Sequence, residues 1–203
     1  MSFITTHFTN IPKKVLLIIA SLLLAAAVAG AEGAVEERPD TGKSGRSQET
    51  VIISNDGMEM EFVSAPERAV TMNQTPTEIM LALGLEGRMV GTAYMDDEIL
   101  PLFAEAYNSI SVLSDKYPSK EVLIKAEPDF VYGGFSSAFS EKRGLATRKE
   151  LLELGINSYL SPSYASNKAL RPDPWTVDAL YREIREIGKI FRIEEREIGR
   201  AHV

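Results

Sequence analysis

Between residues 67 and 135 the apolar and polar positions read twice as a helix followed by a strand. Val70 to Met72 has the character of a short buried strand. Thr75-Pro76-Thr77-Glu78 then predicts a helix start, with Thr75 as N-cap, Pro76 as first helical residue and Glu78 as reciprocal partner in a capping box. Ile79, Met80 and Leu83 share one face, Gly84 suits the left-handed C-terminal position, and Met89 to Gly91 forms the next strand. The second unit repeats this order. A helix near Ser119 to Ala126 stops at Pro128, and Phe130 to Tyr132 runs into Gly133-Gly134. Strand–helix–strand units of this length predict a parallel, Rossmann-like α/β sheet, which binds ligands outside the carboxyl ends of its strands.

The flanks extend the pattern. Thr50 to Ser54 and Met58 to Val63 alternate on either side of Asn55-Asp56-Gly57, a β-hairpin signal. Glu98 to Asn108 predicts a helix beginning around Pro101. Leu145 to Leu154 predicts another, closed by Gly155, with Ile156 to Leu160 as a fourth parallel strand. After a Ser/Pro-rich loop, Asp173-Pro174 caps a long amphipathic helix whose apolar stripe includes Val177, Leu180, Tyr181, Ile184, Ile187 and Ile190.

The ordered set "ERAV…N…TEIMLALG…RMVG", "KEVLIKAEPDFVYGG", "LLELGINSYL" and "PWTVDALYREIREIGKIFRIEER" resembles the periplasmic binding proteins that deliver iron–siderophores and cobalamin to ABC importers. The resemblance covers about residues 55–196. It implies an N-terminal ligand-binding lobe over residues 50–172, preceded by the hairpin. Residues 173–203 would then start the rigid interlobe helix, with the second lobe absent. It also implies a non-enzymatic, monomeric receptor that binds a ferric-siderophore chelate and hands it to a permease in the inner membrane. Cobalamin or haem is the alternative cargo. A truncated remnant that binds nothing and a flavodoxin-like enzyme domain are the rival readings.

The first residues alter the compartment. Lys13 and Lys14 precede an apolar run from Val15 to Val28, broken only by Ser21, and small residues follow. The run is shorter than the ~20 apolar residues of a spanning helix, which favours a cleaved leader over residues 1–31 against an uncleaved anchor. Two of the 22 basic residues and none of the 29 acidic ones lie in that leader, so its loss takes the net charge from −7 to −9. That balance argues against nucleic acid or anionic lipid as a partner. Residues 32–49 are polar and read as a linker. Gly42-Lys43-Ser44 is no phosphate loop, because Glu37 stands where the motif needs glycine. The chain has no cysteine. Many members of the family carry a lipid-anchored cysteine at the cleavage site, so a soluble periplasmic protein is expected.

Catalytic and metal chemistry find little support. Ser136 and Ser137 follow a glycine turn, but Ala138 replaces the second glycine of a nucleophile elbow. Beyond the leader only His202 could serve a relay or a zinc site. No catalytic residue, resident metal or cofactor is assigned. Ferric iron held by tyrosinates would draw on Tyr94, Tyr117 and Tyr164, with Tyr132 and Tyr159 read as core. The expected ligand surface instead gathers strand ends: Asn73 and Gln74 after the first strand, Tyr94 and Met95 after the second. Tyr117 precedes the next helix, Phe135 and Ser136 follow the Gly-Gly turn, and Ser163 and Tyr164 follow the fourth strand. Aromatic and amide groups around a shallow concavity suit a bulky, semi-polar chelate. The resemblance further implies that Glu121, in the first turn of its helix, docks on permease arginines. On its own, that carboxylate reads as ordinary helix-end placement.

The leader makes a direct prediction. Exported protein should begin at Gly30 or Glu32, after cleavage at Ala29 or Ala31. N-terminal sequencing that returns Met1 would overturn it.

Overall fold

Asp56 and Gly57 both take positive φ, 51° and 78°, the geometry of the two-residue turn that matches the twist of paired strands. They join β1 (Val51–Asn55) to β2 (Met58–Phe62) in antiparallel register, with Asn55 opposite Met58. Alternation buries Ile53, Met60 and Phe62 and leaves Ile52 outside. This computed structural model describes residues 49–143, 146–172 and 177–193. The expected leader, nearly all of the linker, the Asp173-Pro174 cap and residues 194–203 lie outside them.

Five strands form the main sheet: β3 (Ala69–Met72), β4 (Met89–Ala93), β5 (Val112–Ser114), β6 (Phe130–Gly133) and β7 (Asn157–Leu160). Their order is β5-β4-β3-β6-β7, and every pairing is parallel. The sequence suggested four of these strands. β5 is three residues long and lies at an edge with Val112 half exposed, too short to leave a periodic signal.

Side chains alternate across the sheet. Phe130 and Tyr132 pack with the hairpin, α1 (Gln74–Ala82), α2 (Ala104–Asn108) and α5 (Asp178–Ile190). Val131 packs on the other face with Leu123 of α3 (Lys120–Lys125) and Leu151 of α4 (Arg148–Glu153). Winding therefore runs outward from β3 to β5 on one face and returns to β6 on the other. The switch point falls between β3 and β6, where such sheets open a crevice.

Two helix starts differ from expectation. α1 begins at Gln74 with Asn73 as N-cap, so Thr75 lies inside the helix and the Thr75–Glu78 box does not form. A carboxylate from another loop takes over: the Gln74 amide donates to Asp96 Oδ1 at 2.9 Å. Glu78 instead accepts from Gln74 Nε2 and the Leu100 amide. α4 begins at Arg148, behind a complete capping box of Thr147 and Glu150, three residues later than the apolar pattern implied.

Buried polar contacts fasten the outer elements. The Asn55 amide donates to Leu160 O and accepts from Leu160 N, both at 2.9 Å, occupying the place of a neighbouring strand on the edge of β7. Buried Arg148 donates to Asn55 O and Ser158 O. On α5, Glu183 is 3% exposed and accepts from Tyr132 Oη at 2.5 Å and Ser161 Oγ at 3.1 Å. Tyr159 Oη donates to Glu186 at 2.6 Å. The α5 stripe is only partly covered. Ile187 and Ile190 are buried, whereas Val177 and Leu180 are exposed beside an apolar groove of about 340 Å³ that reaches Ile79, Leu83 and Phe103.

Burial raises the Glu183 carboxyl above its ordinary value, and its two hydroxyl donors offset this only in part. Folding therefore favours the protonated form. That contribution is complete below the ordinary carboxylate range and is lost as pH rises through the raised folded value. Glu183→Gln should lose less stability than the parent as pH rises from the ordinary carboxylate range through the raised Glu183 value, measured by urea unfolding. Equal pH slopes for the two proteins would contradict this.

Candidate functional site

At the carboxyl edge the first feature is strain. Asn73 follows β3 with φ 79° and ψ 164°, and Tyr94 follows β4 with φ 49°. Such backbone states cost roughly 1–3 kcal/mol each and persist only where surroundings enforce them. Here the enforcement is visible. The Asn73 amide donates to Ala93 O at 3.0 Å, and its side chain donates to Tyr94 O at 3.3 Å. Gly134 follows β6 directly alongside; a Cβ there would lie 3.1 Å from Asn73 Cβ and 3.2 Å from Pro76 Cδ. A side chain there would require its neighbours to give by a few tenths of an ångström, so glycine suits this close approach.

Tyr117 completes this cluster from beyond β5. Its hydroxyl lies 3.4 Å from Asn73 Oδ1 and 3.1 Å from Ser137 Oγ. Its ring meets Tyr94 edge to face at 4.7 Å, and Lys116 Nζ sits 4.7 Å from the centroid of the Tyr94 ring. An exposed cation–π contact of this kind is worth ~0.5–1 kcal/mol. A second aromatic pair stands at the far side of the switch point, where Phe135 and Tyr164 approach to 4.4 Å at 72°. Ser136 opens the short 3-10 turn Ser136–Phe139, and Ser163 lies exposed in the turn Pro162–Tyr164.

Tyr94, Tyr117, Phe135 and Tyr164 thus share one edge; Asn73 is buried beneath it, 1% exposed, with its side chain spent on Tyr94 O and the Tyr117 hydroxyl, and two other expected residues face elsewhere. Gln74 spends its side chain on Glu78 and Glu98 O, fastening the loop after β4. Met95 turns its sulfur toward the Thr77 and Thr92 hydroxyls. The N-terminus of α1, which the sequence offered to an anionic or carbonyl group, already holds Asp96. Lys116 and Ser137 enter unforeseen. Each adjoins a residue that the sequence singled out, but neither has a local signal of its own.

Tyr132 and Tyr159 are fully buried, pack edge to face at 5.4 Å, and donate to α5 carboxylates, as core tyrosines do. Burial raises both phenols, further from the tyrosinate an iron ligand needs. Among the described residues no group of three or more histidines and carboxylates could hold a metal ion. None of their helices is long and apolar enough to cross a membrane. Glu121 is exposed in the first turn of α3, and the Ser119 hydroxyl holds its carboxyl below the ordinary value.

No protein-family model matches the chain, and no curated protein matches it in sequence. Solved structures do. The chain is 33% identical to a periplasmic binding protein from Veillonella parvula, with a TM-score of 0.62 over 74% of this chain and 48% of that one. It is 25% identical to an ABC-type Fe3+-hydroxamate transport system protein from Saccharomonospora viridis, with a TM-score of 0.58 over 75% and 50% of the two chains. In fold alone it is similar to PiuA of Streptococcus pneumoniae, an iron uptake ABC transporter substrate-binding protein, at 19% identity and a TM-score of 0.50 over 75% and 47%. The chain spans about half the length of these proteins.

Proposed function

We propose that this chain, which belongs to the periplasmic binding proteins of the iron–siderophore and cobalamin type, captures a ferric-siderophore chelate and delivers it to an ABC permease in the inner membrane. The observation that carries the reading is the gathering of Tyr94, Tyr117, Phe135 and Tyr164 at the switch point, with buried Asn73 tying the first two together. Aromatic faces with a few fixed amide and hydroxyl groups suit a chelate whose outside is semi-polar and whose metal is already enclosed. The protein then needs no metal ligands of its own, and it acts as a carrier in the periplasm.

This edge would form one wall of the site, and a ligand left half exposed loses about half of the ~25 cal/mol per Å² available from its apolar burial. Binding should therefore be saturable but weak. Tyrosine fluorescence titrated with a ferric trihydroxamate, a ferric tris-catecholate and cobalamin tests this. Saturable quenching by a ferric chelate, lost in Tyr117→Ala and Phe135→Ala, is expected. Absence of quenching by every ferric chelate would overturn the proposal, and a response to cobalamin alone would move the cargo to that class.

Glu121 is proposed to meet the permease. Its exposed carboxylate on α3 is open to a bidentate arginine across an interface. In a two-lobed chain carrying this lobe, Glu121→Arg should leave folding and chelate binding intact while import slows. Unchanged import would leave Glu121 as a helix-end residue.

A further inference from the structure

Three buried threonines lie directly beneath the ligand edge and touch one another. Thr71 of β3, Thr77 of α1 and Thr92 of β4 are each fully buried. Their hydroxyls form a triangle, with Thr71 to Thr77 at 2.8 Å, Thr77 to Thr92 at 3.0 Å and Thr71 to Thr92 at 3.1 Å. Valine would fill each position with nearly the same volume and without the penalty of burying a hydroxyl. Three such hydroxyls together need a use.

Their three protons indicate it. Thr77 Oγ1 donates to Asn73 O at 2.8 Å, the carbonyl of the residue held at φ 79°. Two protons remain for the rest of the cluster: Thr71 donates to Thr92, and Thr92 donates either to Thr77 or to Met95 Sδ at 3.5 Å, so at most two edges of the triangle are hydrogen-bonded at once. The cluster therefore touches both strained turns: Asn73 directly, and the turn after β4 through Met95, next to Tyr94. Asn73 Nδ2 to Tyr94 O links the two turns above it.

We propose that the Thr71–Thr77–Thr92 cluster is the positioning element of the ligand edge, acting through the Thr77 hydroxyl to hold buried Asn73 in the conformation that ties its side chain to Tyr94 O and the Tyr117 hydroxyl. The claim rests on the ligand reading above for its functional consequence, but the positioning itself has an independent readout. Thr77→Val keeps the shape and removes the hydroxyl; Thr77→Ser keeps the hydroxyl and removes a methyl group.

In the ligand-free protein, the NMR resonances of the Asn73 side-chain amide should shift in Thr77→Val and return toward the parent in Thr77→Ser. Affinity for a ferric trihydroxamate should fall about tenfold in the valine variant, the loss expected for one unmade buried hydrogen bond, and stay within about twofold in the serine variant. Serine opens a small void, so thermal stability should drop in that variant while binding is retained. A purely structural threonine would give binding that tracks stability in both variants. That result, or amide resonances that ignore the hydroxyl, would overturn the proposal. If Thr77→Val does not fold, Thr77→Ala against Thr77→Ser makes the same comparison, because the two differ only by the hydroxyl. Should the parent bind no chelate, the ligand reading falls, and the Asn73 resonances still decide the positioning claim.

Discussion

The amide of Gly134 donates to Met72 O at 3.1 Å, and this bond carries the β3–β6 pairing one residue past the end of β6, at the point where the winding of the sheet reverses. The carboxyl edge depends on it. Side by side, the two strand ends bring Asn73 against Gly134, where a Cβ would come within 3.1 Å of Asn73 Cβ. The positive φ of Asn73 then turns the chain straight into α1, with no room for a separate capping residue. Strain accumulates here because parallel strands buried on both faces cannot shift register to relieve it.

The outer elements stiffen this arrangement. Hairpin and helix α5 both reach the edge of the sheet through buried polar groups, Asn55 against Leu160 and the pair Glu183 and Glu186 against Tyr132, Tyr159 and Ser161. Ser161 directly follows β7, so the residue that fastens α5 also borders the candidate surface. A helix tied to two neighbouring strands moves with its sheet. Displacing α5 would strand a buried carboxylate and two buried phenols together, at a cost of about 1–3 kcal/mol for each group left unpaired.

Much of the scaffold was legible because its signals are local. Alternation exposed the hairpin, Asp56-Gly57 its turn, and the short apolar runs before Asn73, Tyr94 and Gly134 the sheet with its direction. Parallel direction alone then placed the strand-end residues on one edge. What escaped depends on partners distant in sequence. Asp96 caps α1 from 22 residues away, and nothing near Thr75 announces that its capping box will be displaced. Glu183 and Glu186 fall between the apolar positions of their helix, yet they accept from tyrosines more than 25 residues distant. Gln74 and Met95 look like ligand contacts by position and become loop anchors through pairing. β5 was too short to register at all.

Two surfaces compete as binding places: the aromatic edge at the switch point and the apolar groove between α1 and α5. The most direct test is to titrate isotope-labelled protein with a diamagnetic gallium trihydroxamate and map the backbone amide shifts. The account predicts that the largest changes cluster at Asn73, Tyr94, Tyr117, Phe135 and Tyr164. Changes centred on Ile79, Leu180 and Ile184, with the strand ends undisturbed, would contradict it.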